Sequence, residues 1–368
     1  MKIDLQVQAA DPVHVQIERV LRRRIQKGEL APRQRLPSTD ELVSRWRVSR
    51  DAVQRALSAL ARDGWIERKP MRGTFVRAGT QTSYIGVIFN PRLTEENAHF
   101  QRAVLRAISV EFENLKDCAW TCRAYDGFRE LRSGLSVRQS SACRPLINDL
   151  KNYPFAGFIQ MLGRGVGRKI SGILKNLPAA CSGSPLAPLA DVALDYEGFG
   201  RGSVEYLAGR GLKKIAYFRV GKDDVNDALD VKGVESAARR LEIPKVAVRQ
   251  MQYDDRETCL QKPAYENMLE LMREWGRRKE WPEGLIVSDD IAMYGVAMAL
   301  AQRGESAIRR LTVVAMANKG INLWYGLPIV RNEFAPDEVA RGLIRILSLR
   351  IHRKPLPELP VKIPCKLP

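Results

Sequence analysis

The chain has 368 residues, and its 60 Lys and Arg outnumber 42 Asp and Glu to leave a formal net charge of +18. That length is too great for one small domain and points to two or three, while the charge points to a polyanionic partner. No apolar run of about 18 residues occurs, so no membrane partner is expected, and the opening MKIDLQVQAADP has no apolar signal-peptide core, so a cytoplasmic location is expected. Six cysteines, Cys118, Cys122, Cys143, Cys181, Cys259 and Cys365, form no CxxC pair, and the histidines are His14, His99 and His352 alone. Reduced structural thiols follow, with no metal site, no cofactor and no histidine-based catalysis expected.

Residues 12–27 open the chain's first amphipathic pattern, with Val13, Ile17, Val20, Leu21 and Ile25 apolar, Arg19, Arg22, Arg23 and Arg24 elsewhere, and Gly28 as its stop. Ser38, preceded by Pro37 and followed three residues on by Glu41, forms a capping box for a helix whose apolar face is Leu42, Val43 and Trp46. Ser49 caps the next helix, where Val53, Ala56, Leu57 and Leu60 repeat at i, i+3, i+4 and i+7, and Gly64 ends it. Only Arg47 and Val48 separate the two helices, which is helix-turn-helix spacing. Residues 65–69 and 74–76 read as two strands joined by Pro70-Met71-Arg72-Gly73, a hairpin with a basic tip. Caps, turn and wing agree on a winged helix-turn-helix rather than a small bundle with a solvated charged face. Its chemistry suits duplex DNA. Arg50 can fork to a guanine edge and Gln54 can pair with adenine, while Gly73 lets the wing backbone approach a minor groove that attracts Arg72. The first 80 residues hold 17 Lys and Arg against 9 Asp and Glu, so the basic surplus is dense here.

The order Ile25, Gly28, Leu30, Leu36-Pro37-Ser38, Val48-Ser49-Arg50, Ala56-Leu57, Leu60, Asp63-Gly64 and Gly73-Thr74-Phe75-Val76 resembles the front domain of GntR-type bacterial transcription regulators. The resemblance runs over residues 12–77 without a gap. It implies DNA contacts at Ser38, Ser49, Arg50, Gln54, Arg55, Arg72, Gly73 and Thr74, and a bacterial, nucleoid-associated protein. Asp40 and Asp51 depart from it, standing where the family commonly has a basic residue and a threonine. A carboxylate there repels phosphate but accepts from cytosine N4, so an altered operator is expected.

The polar stretch 78–83 reads as a linker. Beyond it, short apolar runs at 84–89, 155–160, 192–194, 214–218, 285–287, 311–315 and 329–330 alternate with helical patterns at 98–115, 196–209, 228–241, 265–275, 291–302 and 336–351. Such alternation builds a parallel α/β sheet. Residues 126–151, rich in Arg and Ser, give the weakest signal. The blocks YIGVIFN, AGFIQ, VALDYEGFGRGSVEYLAGRGLKKIAYF, GLIVSDDIAMYGVAMALAQRG and LTVVAMANKG resemble LacI-type effector domains over residues 84–364, and the whole chain resembles the arabinose-repressor type of GntR/LacI chimera. The expected fold is therefore multidomain: residues 1–77 a winged helix-turn-helix, 78–83 a linker, and 84–368 an α/β periplasmic-binding-protein-like domain of two Rossmann-like lobes that binds effector and dimerises.

The resemblance implies a carbohydrate-like effector between the lobes, at strand carboxyl ends. Asn90, Gln160, Asp195, Asp230 and Asp289 fall at such ends or at the helix that follows. Asp289 reads equally as a sugar ligand and as a helix N-cap. Asp230 replaces the family's arginine at the start of R-x-x-G, and Ala317 replaces the aspartate ending V-V-G-[FY]-D, so a charged donor and a charged acceptor are both missing. Phe89, Trp324 and Tyr325 are candidates for stacking on a sugar, or for the core. The expectation is a homodimeric, effector-controlled repressor binding a double-stranded operator, with a ligand-independent repressor or architectural protein as the alternative. An enzyme is the weaker rival, since GRGVGRK at 163–169 lacks P-loop spacing.

Overall fold

A computed structural model describes residues 12–26, 29–31, 33–70, 72–77, 83–114, 120–162, 166–174, 177–183, 190–221, 228–244, 246–253, 259–304 and 310–368. The expected helix stop at Gly28, the wing residue Met71 and most of the 78–83 linker lie outside these residues.

Three helices, α1 (Val13–Gln26), α2 (Thr39–Trp46) and α3 (Arg50–Arg62), and an antiparallel hairpin, β1 (Ile66–Lys69) and β2 (Gly73–Val76), form the first unit. Both caps are made. Glu41 N donates to Ser38 Oγ at 3.2 Å while Ser38 N donates to Glu41 Oε2 at 2.7 Å, and Ala52 N donates to Ser49 Oγ at 3.2 Å. Arg47 at φ 51° reverses the chain between α2 and α3, and Gly64 at φ 78° releases it towards the hairpin. Ile17, Leu21, Leu42, Val53, Leu57, Leu60 and Trp65 close the core, so the apolar stripes of all three helices meet as their spacing requires.

The rest of the chain makes two lobes. In the N-lobe, β3 (Ser83–Phe89), β4 (Trp120–Tyr125), β5 (Phe155–Met161) and β6 (Ala179–Cys181) pair in parallel in the order β4-β3-β5-β6, with α4 (His99–Asn114), α5 (Cys143–Asn152) and α6 (Val166–Leu174) between them. After β7 (Val192–Leu194), the C-lobe runs through α7 (Tyr196–Gly209), β8 (Ile215–Arg219), α8 (Leu229–Arg240), β9 (Val246–Gln250), α9 (Gln261–Arg278), β10 (Gly284–Val287), α10 (Ala292–Ala301), β11 (Thr312–Asn318) and β12 (Val330–Phe334). The chain then returns. Helix α11 (Pro336–Ile351) packs Val339, Leu343, Ile346 and Leu347 into the N-lobe core, β13 (Val361–Ile363) pairs with β7, and β14 (Cys365–Lys366) joins the C-lobe as its antiparallel edge, order β14-β12-β11-β10-β8-β9.

Two contacts fix how these parts sit. Arg22 of α1, 7% exposed, reaches Glu18 at 2.6 Å and Asp63 at 2.5 Å. Its guanidinium lies 5.5 Å from the Trp65 ring and 5.5 Å from the ring of Tyr153 in the N-lobe, a cation–π joint between the two units. In the C-lobe, α7 and α8 touch through glycines: a Cβ on Gly233 would lie 2.0 Å from the Glu197 carbonyl oxygen, and one on Gly200 would lie 2.0 Å from that of Asp230. Both obstacles are backbone, which moves only with its helix. Gly233→Ala is therefore expected to lower stability by about 1–3 kcal/mol or more through overpacking. An unchanged urea midpoint by circular dichroism would mean that the helices have room to separate.

Candidate DNA-binding face and inter-lobe cavity

The first candidate site is the outer face of α2, α3 and the hairpin. Ser38 and Ser49 stand at the N-termini of α2 and α3, where their hydroxyl oxygens cap the helices and each hydroxyl keeps a proton to donate. Arg50, Gln54 and Arg55 project from α3 and are all exposed, as is Arg72 on the hairpin. Gly73 adopts φ 107°, and Thr74 carries a backbone carbonyl that accepts from Leu36 N at 2.8 Å. The eight residues expected to meet DNA thus occupy neighbouring parts of one unit. The two acidic departures lie among them. Asp40 reaches Arg50 Nη2 at 3.1 Å and Asp51 reaches Arg55 Nε at 2.9 Å. Arg35 is an addition that sequence reading misses. It bridges to Phe75, and its Nε would lie 2.9 Å from a Cβ on Gly73, so it supports the wing from below. No local pattern marks it, because the contact spans about 40 residues.

The second candidate site is a cavity of about 600 Å³ between the lobes. Segments at strand carboxyl ends line it: Asn90 after β3, Met161 at the end of β5 with Leu162 after it, Arg219 at the end of β8, Ser288 to Asp290 after β10, and Asn318 at the end of β11. Of the expected ligand residues, Asn90, Asp230 and Asp289 line the cavity, whereas Gln160 and Asp195 are not among its lining residues. Gln160 is 4% exposed within the sheet, where strand alternation turns Met161 to the opening instead. Asp195 caps α7, accepting from Gly198 N at 3.0 Å. Phe89 is fully buried, Tyr325 packs at a tilt against Tyr294 with ring centroids 4.7 Å apart, and Trp324 is 84% exposed; none of the three lines the cavity.

The missing charged donor has a substitute. Arg219 enters from β8, its Nε 2.9 Å from Asp230 Oδ2 and its Nη1 2.6 Å from Gln250 Oε1, and the Tyr217 hydroxyl donates to the same Asp230 oxygen. A guanidinium therefore lies at the cavity although position 230 is acidic. Asp289 does cap its helix, with Oδ1 accepting from Ile291 N at 2.9 Å and Ala292 N at 2.8 Å. Burial, and then the charge of Asp290, push its carboxyl above the ordinary carboxylate range. At β11, Met316 and Asn318 face the cavity and Ala317 does not, so Asn318 is the polar group that this strand supplies.

His99 is the residue that sequence reading most undervalues. At the start of α4 in the N-lobe, its Nε2 lies 2.8 Å from Oδ2 of Asp290 in the C-lobe. Asn318 Nδ2 donates to the same oxygen at 2.7 Å, and the Tyr325 hydroxyl donates to the Asp290 carbonyl at 2.9 Å. Burial works to lower the His99 pKa, but hydrogen bonding to and the charge of Asp290, with help from the Glu96 carbonyl and Asp289, outweigh it, and the net shift is upward. A histidine with a raised folded-state pKa stabilises fully below its ordinary value of about 6.5, and that stabilisation is lost as pH rises through the raised value. The raised carboxyl of Asp289 acts with the same sign, at lower pH. His99→Gln is expected to flatten the fall in thermal stability as pH rises above about 6.5; an equally steep fall in the variant would remove His99 from the effect.

Residues 14–76 match the family model for bacterial regulatory proteins of the gntR family, and residues 204–367 match that for a periplasmic binding protein-like domain. Among curated relatives, the HTH-type transcriptional repressor NagR of Bacillus subtilis is 38% identical over 74 residues, 20% of this chain and 30% of that one. The repressor RspR of Escherichia coli is 40% identical over 76 residues, 21% and 33% of the two chains. The chain thus spans about a third or less of the length of these relatives. Among solved structures, the lac repressor dimer bound to operator and the anti-inducer ONPF superposes with a TM-score of 0.58 at 17% identity, covering 78% of this chain and 93% of that one. A LacI family regulator from Arthrobacter sp. FB24, in complex with lactose, gives 0.58 at 18% identity, covering 78% and 97%. The N-terminal unit is a GntR-type winged helix-turn-helix, and the two lobes have the LacI-like, periplasmic-binding-protein-like fold.

Proposed function

We propose that this chain, a GntR-type winged helix joined to a LacI-like two-lobed domain, is a sequence-specific DNA-binding transcriptional regulator: a homodimeric repressor whose operator affinity is set by a sugar-like small molecule held between the lobes. The observation that carries the reading is the exposed Arg50, Gln54 and Arg55 on a capped, turn-presented helix in the same chain as a 600 Å³ inter-lobe cavity. A helix so presented fits a major groove, and the basic hairpin beside it fits the flanking backbone and minor groove. The other expected contacts divide by chemistry. Ser38, Ser49 and Thr74 offer hydroxyls to phosphate, Arg72 and Gly73 bring the wing close, and Arg50, Gln54 and Arg55 face base edges. Met298 and Trp324, 62% and 84% exposed, are apolar C-lobe groups available to a second copy. No described helix is long and apolar enough to cross a membrane, and the protein works on nucleoid DNA in the bacterial cytoplasm, as a binding protein rather than an enzyme.

For the effector, Asn90 Oδ1 and Gln101 Oε1 are buried acceptors without a partner beside the cavity. Buried acceptors call for donors, and a polyol supplies hydroxyl donors while its own oxygens meet Arg219 and Asn318. Binding that draws the lobes together shifts the spacing of the two winged helices and hence operator affinity.

A second reading, a ligand-independent regulator, is favoured by the pairing already present: Arg219 neutralises Asp230, and His99 already joins the lobes through Asp290. Titrating operator with and without a panel of sugars and polyols separates the two. A shift in operator affinity worth about 1–3 kcal/mol supports effector control, and a flat response across the panel with intact operator binding selects the second reading. In the same assay Arg50→Ala is expected to cost about 1–3 kcal/mol and relax preference at one base pair. A loss equal across all sequences would make Arg50 a phosphate contact instead.

A further inference from the structure

Two ion pairs sit on the face that the reading above assigns to DNA, and that reading is their premise. Asp40, in the first turn of α2, holds Nη2 of Arg50 with both carboxylate oxygens, at 3.1 and 3.3 Å, across the turn between the helices. Asp51 holds Nε of Arg55 at 2.9 Å, one turn along α3. The four side chains are 65–73% exposed. Exposed pairs of this kind add little to folding stability, and the first-turn positions of Asp40 and Asp51 favour an acid at each helix N-terminus without accounting for their hold on these two arginines.

We propose that Asp40 and Asp51 are specificity-determining residues: each holds its arginine in a groove-facing pose, and together they tune the operator towards G·C pairs. The geometry leaves the right donors. With Nε taken by Asp51, Arg55 keeps its terminal Nη1/Nη2 fork, which spans guanine O6 and N7. Arg50, held at Nη2, keeps its other guanidinium donors for a neighbouring base edge. An arginine already confined to one pose loses less side-chain freedom on binding. The carboxylates contribute a second way. An acid beside a phosphate is repelled, and the same acid beside cytosine N4 accepts a hydrogen bond. Poor registers on the duplex are therefore penalised while a G·C-containing half-site is not, which is specificity obtained partly by repulsion.

The two effects predict opposite movements. Bound sequences are first selected from random duplex DNA with the full-length protein, and affinities for the selected operator and an unrelated duplex are then measured at one salt concentration. Asp40→Asn and Asp51→Asn, nearly isosteric at exposed positions, are expected to bind the unrelated duplex more tightly and the operator more weakly. The ratio of the two affinities should fall by roughly fivefold or more for each variant, the scale of one well-formed base contact. Asp40→Glu keeps the charge and changes the reach, so its unrelated-duplex affinity should stay at the wild-type level while operator discrimination drops. If both affinities rise together with their ratio unchanged, the acids merely shield the arginines and the proposal falls; unchanged affinities overturn it equally. Failure of the wild-type protein to enrich any sequence overturns the DNA-binding reading itself, a result distinct from either.

Discussion

The carboxylate of Asp290 is the point at which the two lobes meet across the cavity. One oxygen of it accepts from His99, across the lobes, and from Asn318, at the end of β11 in its own lobe. This contact joins the two lobes across the cavity and contributes to its present shape. An ionic hydrogen bond in a half-dry cleft is strong enough to hold a conformation and weak enough to be exchanged for ligand contacts.

The first unit and the N-lobe are linked through another shielded cation. Arg22 is held by Glu18 and Asp63 within the DNA-reading unit and lies against Tyr153 of the N-lobe, whose ring also lies 3.7 Å from the guanidinium of Arg123. Tyr84, at the start of the N-lobe, stacks edge-on against that ring at 5.2 Å. The winged helix is therefore seated on the N-lobe through side-chain contacts as well as through the chain. A guanidinium between two aromatic faces tolerates some sliding, because its attraction to a ring depends weakly on angle compared with a hydrogen bond.

What could be read from the sequence was what is decided locally. Ser38 with Glu41, Ser49 with Ala52, and the Gly64 release are contacts over a few residues, and the helices they bound form where periodicity put them. Helices α7 and α11 likewise occupy the very residues their patterns marked. The weak region 126–151 does yield α5, but only Cys143 and Leu146 of that helix are buried, so its stripe is too narrow to stand out among Arg and Ser. Strands β4 and β9 are partly exposed and carry Arg, and no apolar run announces them. At the sites, the lost cases share one cause. Arg35 beside Gly73, Arg50 against Asp40, Arg219 in place of an arginine at 230, and His99 against Asp290 each join residues from different elements. Residue type was visible at each position and the partner was not. A histidine in a sequence suggests a metal ligand or a catalyst, whereas His99 serves here as one half of a bridge.

Helix α11 and the strands around it make the two-lobed domain indivisible. The polypeptide passes between the lobes three times, before α7, before α11 and before β14, and the N-lobe core is completed by Leu343, Ile346 and Leu347 from a helix that follows the whole C-lobe in sequence. Neither lobe is a contiguous stretch of chain. Recombination can therefore exchange the first unit, whose core closes within residues 17–76 with Tyr84 at its edge, by a single cut, but it can trade a lobe only by several coordinated ones. Such a molecule should diversify in evolution by changing what reads the DNA and by altering cavity side chains singly, while its two-lobed body is inherited whole.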